Sequence, residues 1–91
     1  MAPPRRSKPR TPELEAFSRA VQERMDELGM NQPALAEASG LHPRRISDYL
    51  RGQFNPNYEH TKMLCDGLSL TTDELRKRAD KIEAELAKGG Q

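Results

Sequence analysis

The chain has 91 residues, enough for one small domain with a barely sufficient core, and this length disfavours a multi-step enzyme. Its 15 Lys and Arg nearly balance its 14 Asp and Glu, so net charge alone indicates no partner. The single cysteine, Cys65, excludes an intramolecular disulfide, and no apolar run approaches the ~20 residues that span a bilayer. We therefore expect a soluble cytoplasmic protein with no membrane association.

The first ten residues carry four of the 15 basic side chains. They include no acid, which leaves 11 basic against 14 acidic residues in the stretch 11–91. A proline-rich basic segment with few apolar side chains cannot fold alone, so we predict a disordered arm over residues 1–10. Either it binds nucleic acid through its positive charges or it is a solvated tail. The charges belong to Arg5, Arg6, Lys8 and Arg10.

The first predicted helix spans residues 12–28. Thr11 supplies a capping hydroxyl, and Pro12 suits the first helical position. Gly29 ends the helix. Helical spacing places one set of apolar residues on a single buried face: Leu14, Phe17, Val21, Met25 and Leu28.

Residues 31–52 read as two short helices joined by a tight turn, which is a helix-turn-helix. The first begins after the N-cap Asn31 and runs to Ala38, and Gly40 makes the turn because it adopts the left-handed conformation without a Cβ penalty. Leu41 is expected to plug the space between the two helices.

The second helix of the motif is capped by His42, opened by Pro43 and ended by Gly52. Its apolar residues recur at steps of three and four and predict one buried face, formed by Ile46, Tyr49 and Leu50. The polar residues between them point outward.

Two more helices complete an all-α, five-helix prediction without strands. Helix four covers residues 58–67, with Leu64, Cys65 and Leu68 facing inward. Thr71 and Glu74 form a capping box that opens helix five, which extends to about residue 88. We assign residues 11–75 to the helix-turn-helix domain and residues 71–88 to a C-terminal helix.

The C-terminal helix has a short apolar seam of the coiled-coil type. Arg78 and Glu83 would take the flanking g and e positions of a parallel homodimer. Because the seam covers less than two heptads, the alternative is that Leu75 and Ile82 dock on their own domain. The seam residues are Leu75, Ala79, Ile82 and Leu86.

An ordered set of residues resembles the Xre/Cro/cI family of repressor DNA-binding domains, also called lambda repressor-like. The set comprises Gln32, Leu35, Ala36, Gly40, Ile46, Ser47, Gly52 and Pro56 and continues into Leu68, Leu70 and residues 73–75. The resemblance covers roughly residues 14 to 75. It implies a compact DNA-binding domain of a transcriptional regulator that reads double-stranded DNA.

The resemblance also implies which side chains meet DNA. Gln32 and Arg51 would contact phosphates, and Pro43, Arg44 and Asp48 take the main base-reading places, beside His42, Arg45 and Ser47. Arginine suits guanine, but Arg44 and Arg45 could instead clamp phosphates or have no role. Asp48 either accepts from a cytosine amino group or, the option we favour, pairs with a neighbouring arginine.

The chain departs from the family pattern in its interior. Where many members of the family bury an ion pair, this chain has Met25 and Leu50, a neutral or stabilising exchange.

A repressor at the nucleoid is the leading interpretation of the function. The alternatives are a DNA-binding antitoxin of a toxin pair and an adaptor that binds a protein partner without DNA.

Catalysis and metal binding find little support in the sequence. His42, His60 and Cys65 lack metal-ligand spacing on one helix face, and Ser47 has no plausible base. We expect His60 to be an ordinary exposed helix residue, and we predict no enzyme, cofactor or metal.

Overall fold

Five α-helices form the protein in the computed structural model, which describes residues 11–89. The helices are α1 (Pro12–Leu28), α2 (Gln32–Ser39), α3 (Pro43–Leu50), α4 (Tyr58–Leu68) and α5 (Thr72–Gly89). Every predicted helix is present, and each end lies within one or two residues of its predicted position. Residues 1–10, and with them the predicted basic arm, lie outside the described residues.

The helix starts follow the capping chemistry of the sequence. Thr11, Asn31 and Asn57 each accept a hydrogen bond from a backbone N–H in the first turn of the helix that follows. At the start of α5, Thr71 and Glu74 bond reciprocally, each side chain accepting from the other residue's backbone N–H. These caps satisfy donors that a helix cannot pair internally.

The buried residues of α1 cover more of its circumference than the predicted apolar face. Ala16, Ser18 and Ala20 are buried together with Val21 and Met25, because α1 packs against α3, α4 and α5. The expectation for Leu28 was wrong: the core contacts of α1 end with Met25, one turn earlier, and Leu28 is 41% exposed. Helix α1 is therefore the central element of the domain.

Helices α2 and α4 approach each other closely. A Cβ on Gly67 would lie 3.0 Å from the backbone nitrogen of Ser39 and 3.1 Å from its Cα. Because backbone atoms cannot rotate aside, only glycine fits here without moving a helix. This contact places the first helix of the motif against the body of the domain.

The structure contradicts the predicted coiled-coil seam on α5 at two of its four residues. Leu75 and Ile82 are buried in the core of their own chain, with Ala79 and Leu86 packed against it. Leu75 and Ile82 therefore dock on their own domain, which is the alternative that the sequence left open, whereas Ala79 and Leu86 are half-buried. Helix α5 belongs to the same packed unit as residues 11–75.

Charged groups bind the same two helices together at the surface. Arg78 of α5 donates through both guanidinium nitrogens to Glu27 of α1, at 2.9 and 2.8 Å, so it does not take the g position of a dimer. Arg24 also donates to Glu27, at 3.0 Å, and to the backbone oxygen of Leu68 at the end of α4. The hydrogen bonds from Arg78 and then Arg24 lower the pKa of Glu27 from 4.5 to about 2.

The Glu27 network predicts an acid-dependent contribution to stability. Because the folded pKa lies below the unfolded value, the contribution is present above pH 4.5 and is lost as the pH falls toward 2. Glu27→Gln should lower the urea midpoint at pH 7, and its difference from the unmodified protein should shrink across that window. The exposed Glu37 of α2 provides a matched control, Glu37→Gln, with little effect at any pH. A Glu27→Gln difference that stays constant from pH 7 to 2 would contradict the assignment.

Candidate nucleic-acid interface

The turn between α2 and α3 fixes the angle between the two motif helices. Gly40 adopts the left-handed conformation at φ 80°, and its backbone N–H donates to the oxygen of Ala36. Leu41 is buried, as its expected role between the helices requires. His42 then caps α3 by accepting the N–H of Arg44 on its Nδ1, at 3.1 Å. Both ends of the turn are therefore determined by local hydrogen bonds.

The inner face of α3 is fixed to the domain by burial. Ile46 is fully buried, and Tyr49 and Leu50 are nearly so. Ser18 of α1 donates a 2.6 Å hydrogen bond to the backbone oxygen of Leu50, at a point where the last carbonyls of α3 have no partner within the helix. The outward face of α3 is thus held at a fixed orientation.

A hydrogen bond that the sequence did not predict joins α3 to α4. The Tyr49 hydroxyl lies 2.6 Å from Nδ1 of His60, and the two rings meet edge to face. Burial raises the pKa of Tyr49, which keeps its hydroxyl protonated. His60 is partly buried here, so the expectation that it is exposed was wrong. The available signal was Tyr49 at a predicted core position, because a buried tyrosine hydroxyl usually finds a hydrogen-bond partner.

The exposed face of the motif gathers the predicted DNA-contacting residues. Gln32, His42, Pro43, Arg44, Arg45 and Arg51 are exposed, and Ser47 and Asp48 are half-buried. A shallow groove of about 430 Å³ runs between α2 and α3, lined by Gln32, Pro33, Pro43, Arg44, Ser47 and Arg51. His42, Arg45 and Asp48 lie outside its lining. Two arginines and an amide thus share one concave surface.

Asp48, in the last turn of α3, pairs with Arg51 just past the end of that helix. The Arg51 guanidinium donates to the Asp48 carboxylate at 3.1 Å, and Arg51 is the more exposed partner. This is the arginine pairing favoured from the sequence for Asp48. The carboxylate is turned toward a neighbouring side chain in the free protein.

A family model described as helix-turn-helix matches residues 21–75, more than half of the chain. The chain belongs to the Xre/Cro/cI-like helix-turn-helix family. The match contains both motif helices and the groove between them. This is a family of DNA-binding regulators, and the chain is a DNA-binding regulator of that type.

Solved structures share the fold along most of the chain. The clp gene regulator ClgR from Corynebacterium glutamicum superposes with a TM-score of 0.81 and is 24% identical, over 90% of this chain and 87% of that one. The controller protein C.AhdI from Aeromonas hydrophila, of a restriction-modification system, gives 0.68 and 28%, over 71% and 98%. The restriction-modification controller C.Esp1396I gives 0.74 and 23%, over 80% and 95%. No curated protein matches the sequence.

Other kinds of site are not evident in the part of the chain that the structure describes. Within residues 11–89, no three His, Cys, Asp or Glu side chains are grouped so as to hold a metal ion. None of the five helices in that range has the length and apolar character needed to cross a bilayer. Cys65 is buried, and burial raises the pKa of its thiol.

The Tyr49 hydrogen bond predicts a measurable share of domain stability. Tyr49→Phe should lower the free energy of unfolding by about 1 kcal/mol, because His60 Nδ1 loses its partner in a partly buried site. Urea denaturation measures the change. The matched control is Tyr58→Phe, since that ring is 73% exposed and its hydroxyl should contribute almost nothing. Equal losses in both variants would show that the hydrogen bond has no particular role.

Proposed function

We propose that this family member is a sequence-specific repressor that reads the major groove of double-stranded DNA with α3. The observation that carries the proposal is the two-sided character of α3. Its apolar face is fully anchored in the core, while Arg44, Ser47 and Arg51 face outward beside Gln32 of α2. A helix held rigidly with donors on its free face fits the geometry by which helix-turn-helix proteins contact base edges.

Arg44 is the best candidate for reading a base. It lies in the first turn of α3, which is the end that enters the groove in this class of motif, and its side chain is exposed. Its guanidinium can bond both major-groove acceptors of guanine. Pro43, beside it, offers only apolar contact, for example with a thymine methyl group.

Gln32 and Arg51 suit the flanking phosphates. They line the same groove as Arg44, one at the N-terminus of α2 and the other just past the end of α3. To contact a phosphate, the Arg51 guanidinium would leave the Asp48 carboxylate and donate to a phosphate oxygen instead. Such contacts orient the protein without carrying sequence information.

Dimerisation remains part of the proposal, although not through α5. An α3 of eight residues reaches few base pairs, so two copies on one DNA face would supply the specificity that one lacks. Their half-sites would lie about one helical turn apart. We assign the protein no catalytic step, cofactor or metal, and we place it in the cytoplasm at the nucleoid.

An adaptor that binds only protein is the second candidate. Its support is the excess of acids over bases in residues 11–91 and the position of Asp48 on the reading helix. Selection of bound sequences from random duplexes, followed by titration at several salt concentrations, separates the two functions. A regulator yields a consensus and a salt-dependent affinity, whereas an adaptor yields neither.

Arg44→Ala tests the base-reading assignment. Affinity for the selected operator should fall by about 1–3 kcal/mol, and preference should relax at one base pair, because the paired donors to guanine are lost. Fluorescence anisotropy with the operator and with a scrambled duplex measures both effects. Lys81→Ala removes one exposed charge from α5 and is the matched control. An equal loss on both duplexes would make Arg44 a phosphate contact.

Deletion of residues 1–10 tests the arm. Four positive charges that follow the DNA backbone or a minor groove should strengthen binding to every sequence. Without them, affinity should fall on operator and scrambled DNA alike, and the salt slope should flatten by up to about four phosphate contacts. An unchanged salt slope would show that the arm does not contact DNA and is only a solvated tail.

A further inference from the structure

The face of the domain formed by α1, α4 and α5 carries a second groove, of about 420 Å³. Its floor is largely apolar, with Phe17, Pro56, Tyr58, Leu75 and Ala79 among the lining residues. None of the residues assigned to DNA contact lines it. We call it the acidic groove, because its charged lining comprises Glu13, Asp73, Asp80 and Glu83 against the single base Arg76.

The carboxylates of this groove lack cationic partners in the described part of the chain. Within residues 11–89, no ion pair of 4.0 Å or less engages Glu13, Asp73, Asp80 or Glu83. Four acids and one base leave a local charge of −3 above an apolar floor. A ligand that matches this surface is basic and carries apolar groups as well.

We propose that the chain's own arm, residues 1–10, occupies the acidic groove when no DNA is bound. The arm has four basic residues and no acid, so its charge is opposite to that of the groove. It also contains Pro3, Pro4 and Pro9, and proline-rich segments dock in grooves lined by aromatic rings.

The arm begins at the right place and is long enough. It joins the domain at Thr11, two residues before Glu13 of the groove lining. Ten extended residues reach about 33 Å, whereas the α5 side of the groove, from Thr72 to Glu83, is about 17 Å long. The arm therefore spans the groove without any change in the fold.

Docking of the arm has a consequence for DNA binding that rests on the proposed function. The same positive charges cannot neutralise the groove and DNA phosphates at once, so the groove competes with DNA for the arm. Non-specific DNA contacts the protein mainly through phosphates, so the free energy needed to release the arm is a large fraction of its binding free energy. Operator DNA offsets that cost through contacts with α3. Because the arm contributes equally to both, the groove lowers the affinity for operator and non-specific DNA by the same factor, and non-specific complexes, which are weaker, dissociate first.

The docking itself is tested without DNA, so its failure is separate from failure of the proposed function. A nitroxide attached at Ser7→Cys in the full chain, with Cys65→Ala so that the label is unique, should broaden the amide NMR signals of Tyr58, Leu75 and Asp80 at low salt. Asp80→Asn with Glu83→Gln should abolish the broadening. The matched control, Asp66→Asn with Glu85→Gln, removes two exposed acids outside the groove and should leave it intact.

Several results of the labelling experiment would overturn the proposal. Docking in the groove is excluded if the groove signals are not broadened, or if the signals of α2 and α3 are broadened equally. It is also excluded if the broadening persists with Asp80→Asn and Glu83→Gln. Broadening that passes from a labelled chain to an unlabelled isotope-enriched one means that the groove holds a second copy instead.

A DNA measurement then tests the competition. Asp80→Asn with Glu83→Gln should raise the affinity of the full chain for scrambled DNA by about fivefold, as expected for two exposed ion pairs. The same variant lacking residues 1–10 should gain much less, because only the general effect of charge remains. The core and all five helices lie within residues 11–89, so this shorter chain retains the domain. Equal gains with and without the arm would contradict the competition.

Discussion

The orientation of α2 and α3 depends on burial, because helices of eight residues are not stable alone in water. Leu35 and Ile46 are both fully buried, and each anchors one motif helix to the rest of the domain. Ser39 against Gly67 and Ser18 on the Leu50 carbonyl then set the distance and tilt. A reading surface on such short helices exists only as part of the complete five-helix unit.

Helix α5 shows how one sequence pattern supports two kinds of packing. A step of four, three and four residues between apolar positions presents a continuous stripe, which packs equally well against a partner helix or against the chain's own α1. In this chain the stripe packs against α1, which makes the most extensive contact with α5 of any helix. Arg78 strengthens that packing by binding Glu27 rather than a residue of a second chain.

Local signals in the sequence were sufficient for the helices, their caps and the exposed face of α3. Asn31, Gly40 and His42 act through hydrogen bonds or backbone angles within a few residues, so their roles can be read from neighbours alone. Contacts between distant segments could not be read in this way. The Tyr49 bond to His60 and the contact of Gly67 with Ser39 depend on how helices pack, which no single-helix period encodes.

The pairing of Asp48 with Arg51 affects the number of phosphate contacts that the salt dependence of DNA binding would give. In the free protein the carboxylate acts as a built-in counterion, which offsets part of the field that Arg51 presents to DNA. In the proposed complex, in which Arg51 turns to a phosphate, the carboxylate left without a partner would attract a cation from the solvent and cancel part of the ion release that drives association. The thermodynamic number of phosphate contacts would therefore be smaller than the number seen in the bound geometry.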